Sequence, residues 1–119
     1  MTTKEIADKL VQYCRDNKYE QCYSELYSPN CKSIEAEGSP WPVANGMAEI
    51  AEKGKKWQEN IQEFHGGTVG DPIAADGYFA CNMIYDVTFK EGGRQKMNEL
   101  CVYKVEDGKI TEERFFYTV

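Results

Sequence analysis

MNELCVYKVEDGKITEERFFYTV, residues 97–119, decides the fold of this chain. Two runs of alternating β-branched, aromatic and charged residues flank Asp107 and Gly108 in this stretch. An Asp-Gly pair between such runs is a strong short-range signal for a β-hairpin. The stretch therefore predicts two antiparallel strands whose register is fixed by a tight turn.

Each predicted strand of this hairpin has two chemically different faces, because successive side chains of a strand point to opposite sides. On the first strand one face is shared by Glu99, Cys101 and Tyr103. On the second strand one face is shared by Thr111, Glu113, Phe115 and Tyr117. Faces that mix carboxylates with aromatic rings are typical of the border of a pocket, so these residues are candidates for a ligand site.

The length and charge of the chain limit the class of protein. With 119 residues it is predicted to be one domain. A formal net charge of −6 without a basic patch argues against nucleic-acid binding, which needs Lys and Arg contacts to phosphates. Because the chain starts without an apolar signal core and has no bilayer-length apolar run, we expect a cytoplasmic protein that does not bind membranes.

The cysteines and the one histidine argue against a metal site. Five cysteines form an odd set without a C-x-x-C pair, which favours free thiols over a disulfide framework or a zinc site. A single histidine without a second ligand at the right spacing is also a poor metal signal. We therefore expect neither a metal nor a cofactor.

Helical periodicity occurs three times before the hairpin. Thr2 followed by Glu5 predicts a capping box for a first helix that ends near residues 16–17. A shorter second helix is stopped by Ser28-Pro29-Asn30. The third helix is predicted from Asn45 to about Gln62, with apolar or small residues at spacings of three and four: Met47, Ile50, Gly54, Trp57 and Ile61.

The remaining strands are predicted over residues 31–37, weakly over 63–77, and most strongly over 78–90. One face of strand 78–90 is almost wholly apolar and carries Phe79, Cys81, Met83, Tyr85, Val87 and Phe89. The other face is mixed and carries Tyr78, Ala80, Asn82, Ile84, Asp86 and Thr88. Either the apolar face is the core and Asp86 is exposed, or the mixed face lines a cavity and another subunit covers the apolar face.

This order of elements resembles the nuclear transport factor 2-like superfamily, and within it the SnoaL-like polyketide cyclase and ketosteroid isomerase-like branch. The resemblance spans the chain and rests on residues 26–31 after the helix pair, 46–50 at the third helix, Gly92-Gly93, and 105–110 in the hairpin. It implies an α+β, cystatin-like fold, in which a cone-shaped, curved, mixed or antiparallel sheet and three helices enclose a cavity.

The resemblance also implies roles for individual residues. Ketosteroid isomerases have their catalytic base, an aspartate, on the first short strand, and Glu35 takes the matching position here. The family's oxyanion-hole aspartate falls on Cys101, and its tyrosine falls near Leu10. The resemblance places the mixed face of strand 78–90 in the cavity and its apolar face on the convex side of the sheet, in a homodimer.

Four residues are candidates for acid/base catalysis: Glu35, His65, Asp86 and Glu99. Glu35 in an apolar cavity would be a general base, and the alternative is a solvated strand carboxylate. His65 would transfer protons near neutral pH, and the alternative is a residue of a glycine-rich turn. Asp86 and Glu99 would share a proton in one cavity, and the alternative is cross-strand ion pairs with Lys or Arg.

Ligand contacts are predicted for seven residues: Trp57, Asn82, Cys101, Tyr103, Glu113, Phe115 and Tyr117. The aromatic members of this set would serve equally well as core. The predicted function is a cofactor-free acid/base isomerase or cyclase acting on a small apolar carbonyl compound. The alternative is a non-catalytic module that binds a small molecule or assembles as a dimer.

Overall fold

The helices form where the sequence supplies caps and apolar periodicity, in a computed structural model that describes residues 1–118. Helix α1 (Thr3–Arg15) begins with the predicted capping box, because Thr2 accepts from the Glu5 N–H and the Glu5 carboxylate accepts from the Thr2 N–H. Its buried side chains are Ile6, Ala7, Leu10 and Val11. Helix α2 (Tyr19–Leu26) packs against α1, which confirms the predicted helix pair.

Seven strands within the described residues form one mixed sheet. In chain order they are β1 (Tyr27–Ile34), β2 (Val43–Asn45), β3 (Ile61–Val69), β4 (Ile73–Ala74), β5 (Tyr78–Phe89), β6 (Gly93–Glu106) and β7 (Lys109–Phe116). Their spatial order is β2-β1-β7-β6-β5-β3, and β4 pairs with β5. Within residues 1–118, β1 and β7 are the only parallel neighbours. This sheet and three helices give the predicted α+β fold.

Two element boundaries differ from the predictions for local reasons. Strand β1 begins at Tyr27, before Pro29, and its pairing with β7 is irregular there because proline has no N–H for the ladder. Helix α3 (Gly46–Glu59) ends at its cap Asn60. Ile61 continues the helical spacing of apolar residues but already belongs to β3, so the predicted helix was too long.

Strands β6 and β7 form the predicted hairpin. Asp107 and Gly108 have φ angles of 51° and 74°, the left-handed values of a type I′ turn. The register pairs Tyr103 with Glu113, so the candidate faces of the two strands lie on the same side of the sheet. A register shift near the turn buries Ile110 in the core, although strict alternation places it on the other side.

The apolar face of β5 is the inner face of the sheet, the face that the helices cover. Phe79, Cys81 and Met83 are at most 5% exposed and share one core with residues of α1. The register pairs Cys81 with Cys101, so the candidate face of the hairpin is inner as well. The prediction of a cavity-lining mixed face and a convex apolar face is therefore wrong, because the helices bury their own apolar sides against the apolar face of β5.

The outer face of the sheet carries the mixed side chains of β5 and the alternate residues of β6 and β7. Tyr78, Leu100 and Phe116 are each about half exposed on this face. Leu100 and Phe116 lie directly opposite each other on neighbouring strands. The outer face therefore has an exposed apolar centre.

All five cysteines have free thiols, as predicted from their number and spacing. Four of them are buried, and Cys14 is half-buried. None of the helices in the described part of the chain has the length and apolar character needed to cross a bilayer.

Candidate functional site

Three carboxylates lie on the inner face of the sheet, towards the end where β1 and β7 finish. Glu113 is on β7, Glu99 is on the neighbouring strand β6, and Glu35 directly follows β1. Parallel pairing of β1 and β7 aligns Ser33 with Glu113. Alternation along β1 then carries Glu35 to the same side of the sheet. Three adjacent strands thus bring these carboxylates to one site.

Glu35 is held by two hydrogen-bond donors. Lys53, from α3, donates from Nζ to Glu35 Oε1 at 2.9 Å, and the Tyr117 hydroxyl donates to Oε2 at 2.8 Å. The side chains of Lys53 and Glu35 are only 17% and 16% exposed, so this ion pair is largely withdrawn from water. Lys53 Nζ also lies 5.5 Å from the centroid of the Phe115 ring. Glu35 is therefore not a solvated strand carboxylate.

Glu113 is buried more deeply, with 4% of its surface exposed. Its carboxylate accepts a hydrogen bond from the Tyr27 hydroxyl, and Ser33 is its register partner on β1. Burial raises the pKa of Glu113, and the hydroxyls of Tyr27 and Ser33 oppose that shift. Lys53 Nζ in turn donates to Ser33 Oγ at 2.6 Å. A continuous polar chain therefore runs from Tyr27 in the core to the Lys53 ammonium and Glu35.

Glu99 is the carboxylate of this site that has no partner. Within residues 1–118 its carboxylate takes part in no hydrogen bond and no ion pair. Burial raises the pKa of Glu99 to about 7, the negative charge of Glu35 acts in the same direction, and Lys53 opposes it. A carboxyl with this pKa gives and takes a proton readily at neutral pH, as a general acid or base must.

Two residues predicted to contact a ligand belong to the core. Tyr103 is 2% exposed and stacks on Phe79 with ring centroids 4.6 Å apart. Cys101 is 1% exposed, and its thiol has a pKa raised by the neighbouring Cys81 thiol and by burial. Both side chains support the sheet beneath the carboxylates.

The other aromatic residues of the predicted set lie closer to the carboxylates or to the helix that covers them. Phe115 lies beneath the Lys53 ammonium, and the Tyr117 hydroxyl binds Glu35. Trp57, on α3, packs edge-on against Tyr85 and Phe89, with centroids 6.0 and 6.2 Å away. Phe115 and Tyr117 therefore border the carboxylate site, and Trp57 belongs to an aromatic cluster on β5.

Asp86 lies on the outer face, away from this site. Arg94 donates two hydrogen bonds to its carboxylate, at 3.1 and 3.0 Å, and these lower the pKa of Asp86. The predicted convergence of Asp86 and Glu99 is wrong, because the register of β5 and β6 places Met83 opposite Glu99. The alternative of a cross-strand ion pair is right for Asp86.

Asn82 and His65 also lie outside the carboxylate site. Asn82 is exposed and donates from Nδ2 to Asn98 Oδ1 at 2.7 Å on the outer face. His65 Nε2 lies 2.7 Å from Thr88 Oγ1, another residue of the mixed face of β5. Both placements follow from the orientation of β5, whose mixed face points away from the helices.

Three residues of the site were missed by the sequence interpretation. Lys53 carried a signal, because it lies three residues after Ile50 and four before Trp57, in the middle of an apolar helix face. Ser33 alternates with Glu35 and was on the same predicted strand face. Tyr27 had no such signal, because it lies just before Ser28-Pro29-Asn30, the segment that predicts the end of the second helix.

An open groove of about 520 Å³ borders Glu35 and Tyr117 and is lined by residues 34–37 and 114–118. It gives a small molecule access to the polar end of the site from solvent. In the described part of the chain, no three His, Cys, Asp or Glu side chains are grouped to hold a metal ion. The Lys53 ammonium keeps one N–H for a ligand, because its other two are donated to Ser33 and Glu35, whereas the one Tyr117 hydroxyl proton is already donated to Glu35.

Comparison with known proteins places this geometry in a family. The family model of the SnoaL-like domain matches residues 1–117. A Mesorhizobium loti protein, described both as a SnoaL-like polyketide cyclase and as a carbohydrate phosphatase, is 36% identical with a TM-score of 0.92, covering 98% of this chain and 100% of that one. No curated protein matches this chain.

More remote solved structures share the fold. A nuclear transport factor 2-like protein from Burkholderia thailandensis is 16% identical, with a TM-score of 0.85 over 99% of this chain and 92% of that chain. A Catenulispora acidiphila protein of ketosteroid isomerase-like fold, solved with trimethylamine, is 15% identical, with a TM-score of 0.74 over 99% and 88%. The family model matches nearly the whole chain, and the Mesorhizobium loti protein is 36% identical to it, so these two matches show the family as well as the fold. This chain belongs to the SnoaL-like domain family.

Proposed function

We propose that this protein is a cofactor-free acid/base catalyst that moves a proton on a small, partly apolar carbonyl compound. Glu99 is the group that gives or takes the proton. One observation carries the proposal: Glu99 is buried enough for its pKa to be about 7, yet its carboxylate has no partner among the described residues. Carboxyls tuned in this way serve as general acids and bases at neutral pH.

Lys53 supplies a donor for the substrate oxygen. Its ammonium donates to Glu35 at 2.9 Å and to Ser33 at 2.6 Å, which leaves one N–H for a ligand. A carbonyl oxygen beside the ammonium would take this hydrogen bond, which stabilises the negative charge that develops when the adjacent carbon loses a proton. Tyr117, whose hydroxyl donates to Glu35 at 2.8 Å beside the open groove, keeps that carboxylate in place.

The apolar part of the substrate would lie on Phe115, which is half-buried on β7 and pairs with Cys101, two residues from Glu99 along β6. Isomerases and cyclases both need a proton transfer next to a carbonyl group. The similar Mesorhizobium loti protein is described as a polyketide cyclase, and polyketides carry several carbonyl groups. That description is consistent with the proposed chemistry.

Glu99→Gln is the direct test. Gln keeps the size of Glu but cannot transfer the proton, so we expect the catalysed rate to fall about 10²- to 10⁴-fold while ligand affinity changes little. The assay is deuterium exchange next to the carbonyl of a panel of linear and cyclic ketones, followed by NMR. It needs no knowledge of the product.

Glu112→Gln is the matched control, because Glu112 is on the same hairpin but on the outer face, beside Arg114. We expect this variant to retain full exchange activity. Exchange that persists in Glu99→Gln would contradict the role of Glu99. Ketones that bind the wild type without any exchange would support the alternative, a non-catalytic small-molecule module.

We also propose that the protein forms a homodimer through the outer face of the sheet. Leu100, Phe116 and Tyr78 give this face an exposed apolar centre. Around that centre, charges are paired within the chain, as in Lys104 with Glu106. A second copy would therefore meet a largely neutral face, although the chain as a whole carries a formal charge of −6.

A further inference from the structure

Glu113 is a buried carboxylate that the proposed proton transfer does not use. It is 4% exposed, and burying a carboxylate is costly unless it is fully paired. Tyr27, Ser33 and the charge of Lys53 compensate for that cost. An apolar side chain at this position would need none of these partners. The arrangement therefore points to a task other than packing.

The hydroxyl of Ser33 lies between Lys53 and Glu113 in this arrangement. Ser33 and Glu113 are register partners on β1 and β7, and Lys53 Nζ donates to Ser33 Oγ at 2.6 Å, which leaves the one hydroxyl proton of Ser33 to point towards the Glu113 carboxylate. A carboxylate that accepts from Ser33 makes the serine oxygen a better acceptor for the ammonium. The Lys53 ammonium is thus held at the same time by Ser33, which neighbours the buried Glu113, and by Glu35.

Lys53 has another carboxylate close by. The charge of Lys53 already acts on Glu99, although the two groups form no ion pair in the described part of the chain. A lysine side chain has four rotatable bonds and turns easily towards a free carboxylate. What keeps the ammonium from Glu99 is therefore its attachment to Ser33 and Glu35.

We propose that Glu113 is a positioning residue for Lys53. Acting through the Ser33 hydroxyl, it holds the ammonium against Glu35 and away from Glu99. The inference rests on the proposed function, because it explains how the proton-transferring carboxyl stays without a cationic partner. Glu113 itself touches no substrate in this scheme.

The charged and titratable groups that face Glu99 come from four elements. They are Glu35 after β1, Lys53 on α3, Tyr85 on β5 and Tyr117 after β7. Lys53 is the one cation among these groups. Its position therefore controls how strongly the carboxylate form of Glu99 is favoured.

The test is an NMR titration of the Glu99 side-chain carboxyl in the full chain and in two variants, Glu113→Gln and Ser33→Ala. In both variants we expect the pKa of Glu99 to fall from about 7 towards its ordinary value of 4.5, because Lys53 turns to Glu99. Ser33→Ala leaves every charge in place, so a shift in this variant reports the position of Lys53. Glu112→Gln, on the outer face, should leave the titration unchanged.

The double variant, with both substitutions, should shift the pKa of Glu99 no further than the single variant with the larger shift. The reason is that Glu113 and Ser33 act on Lys53 through the same series of contacts. An unchanged Glu99 pKa in folded Ser33→Ala would overturn the positioning role, even where Glu113→Gln does not fold. That result leaves the proposed function intact. Conversely, a wild-type protein that catalyses no exchange, but whose Glu99 titration shifts in Ser33→Ala, would overturn the proposed function and support the positioning role.

Discussion

At the scale of the residue, Glu99 is costly in its ionised form, because burial removes water from its carboxylate and no residue among 1–118 gives that carboxylate a hydrogen bond or an ion pair. Its pKa rises from the ordinary 4.5 to about 7 on folding. Between these two values the folded state binds more protons than the unfolded state. The stability contributed by protonated Glu99 is therefore fully present below pH 4.5 and is lost as the pH rises to 7.

Glu99→Gln should remove this pH-dependent loss. We expect the variant to gain stability relative to wild type as the pH rises. The difference between the two free energies of unfolding, variant minus wild type, should be about 2 to 3 kcal/mol larger at pH 8 than at pH 4. Guanidinium denaturation at both pH values measures the difference. Glu112→Gln should show no comparable dependence, and a Glu99→Gln difference that is the same at both pH values would contradict the shifted pKa.

At the scale of the element, the hairpin of β6 and β7 depends on the left-handed backbone of Gly108, at φ 74°. We expect Gly108→Ala to lower the free energy of unfolding by about 1 to 2 kcal/mol, since a Cβ disfavours that conformation. The nearest atoms to the new Cβ are 3.8 Å away, so the cost is one of backbone conformation. Gly54→Ala, in α3 with open space around it, is the matched control and should raise stability by about 0.5 to 1 kcal/mol.

Both glycine variants would be compared by chemical denaturation under the same conditions. A loss at position 108 together with a gain at position 54 separates the turn requirement from a general effect of adding a methyl group. If Gly108→Ala were as stable as wild type, the turn would not need the left-handed conformation.

At the scale of the whole molecule, the outer face of the sheet determines assembly. We expect the protein to elute with twice the 13.6 kDa mass of one chain in light-scattering chromatography. Leu100→Asp introduces a charge at the apolar centre of that face and should give the monomer. Ala51→Asp is the control, because Ala51 is exposed on helix α3, which lies on the opposite side of the sheet. A monomeric wild type at micromolar concentration would rule out the dimer.

Part of the candidate site could be predicted from the sequence. Alternation correctly placed Glu99 with Cys101 on one face of β6 and Glu113 with Phe115 on one face of β7, because side-chain direction in a strand depends only on neighbouring residues. Asp86 was misplaced, because period two separates the faces of β5 without saying which is inward. Lys53 was missed, because its partners lie on β1, outside its own helix.

By itself the sequence determined the features that local chemistry controls: the capping box at Thr2, the turn at Asp107-Gly108, and the order of helices and strands that characterises the SnoaL-like domain family. Only the tertiary structure decided that the apolar face of β5 meets the helices, that Lys53 binds Glu35, and that the Glu99 carboxylate has no partner among residues 1–118. These features depend on contacts between residues far apart in the chain. Burial and ion pairing depend on which faces of the helices and strands pack together. The sequence of a single strand or helix determines only which side chains each of its faces carries.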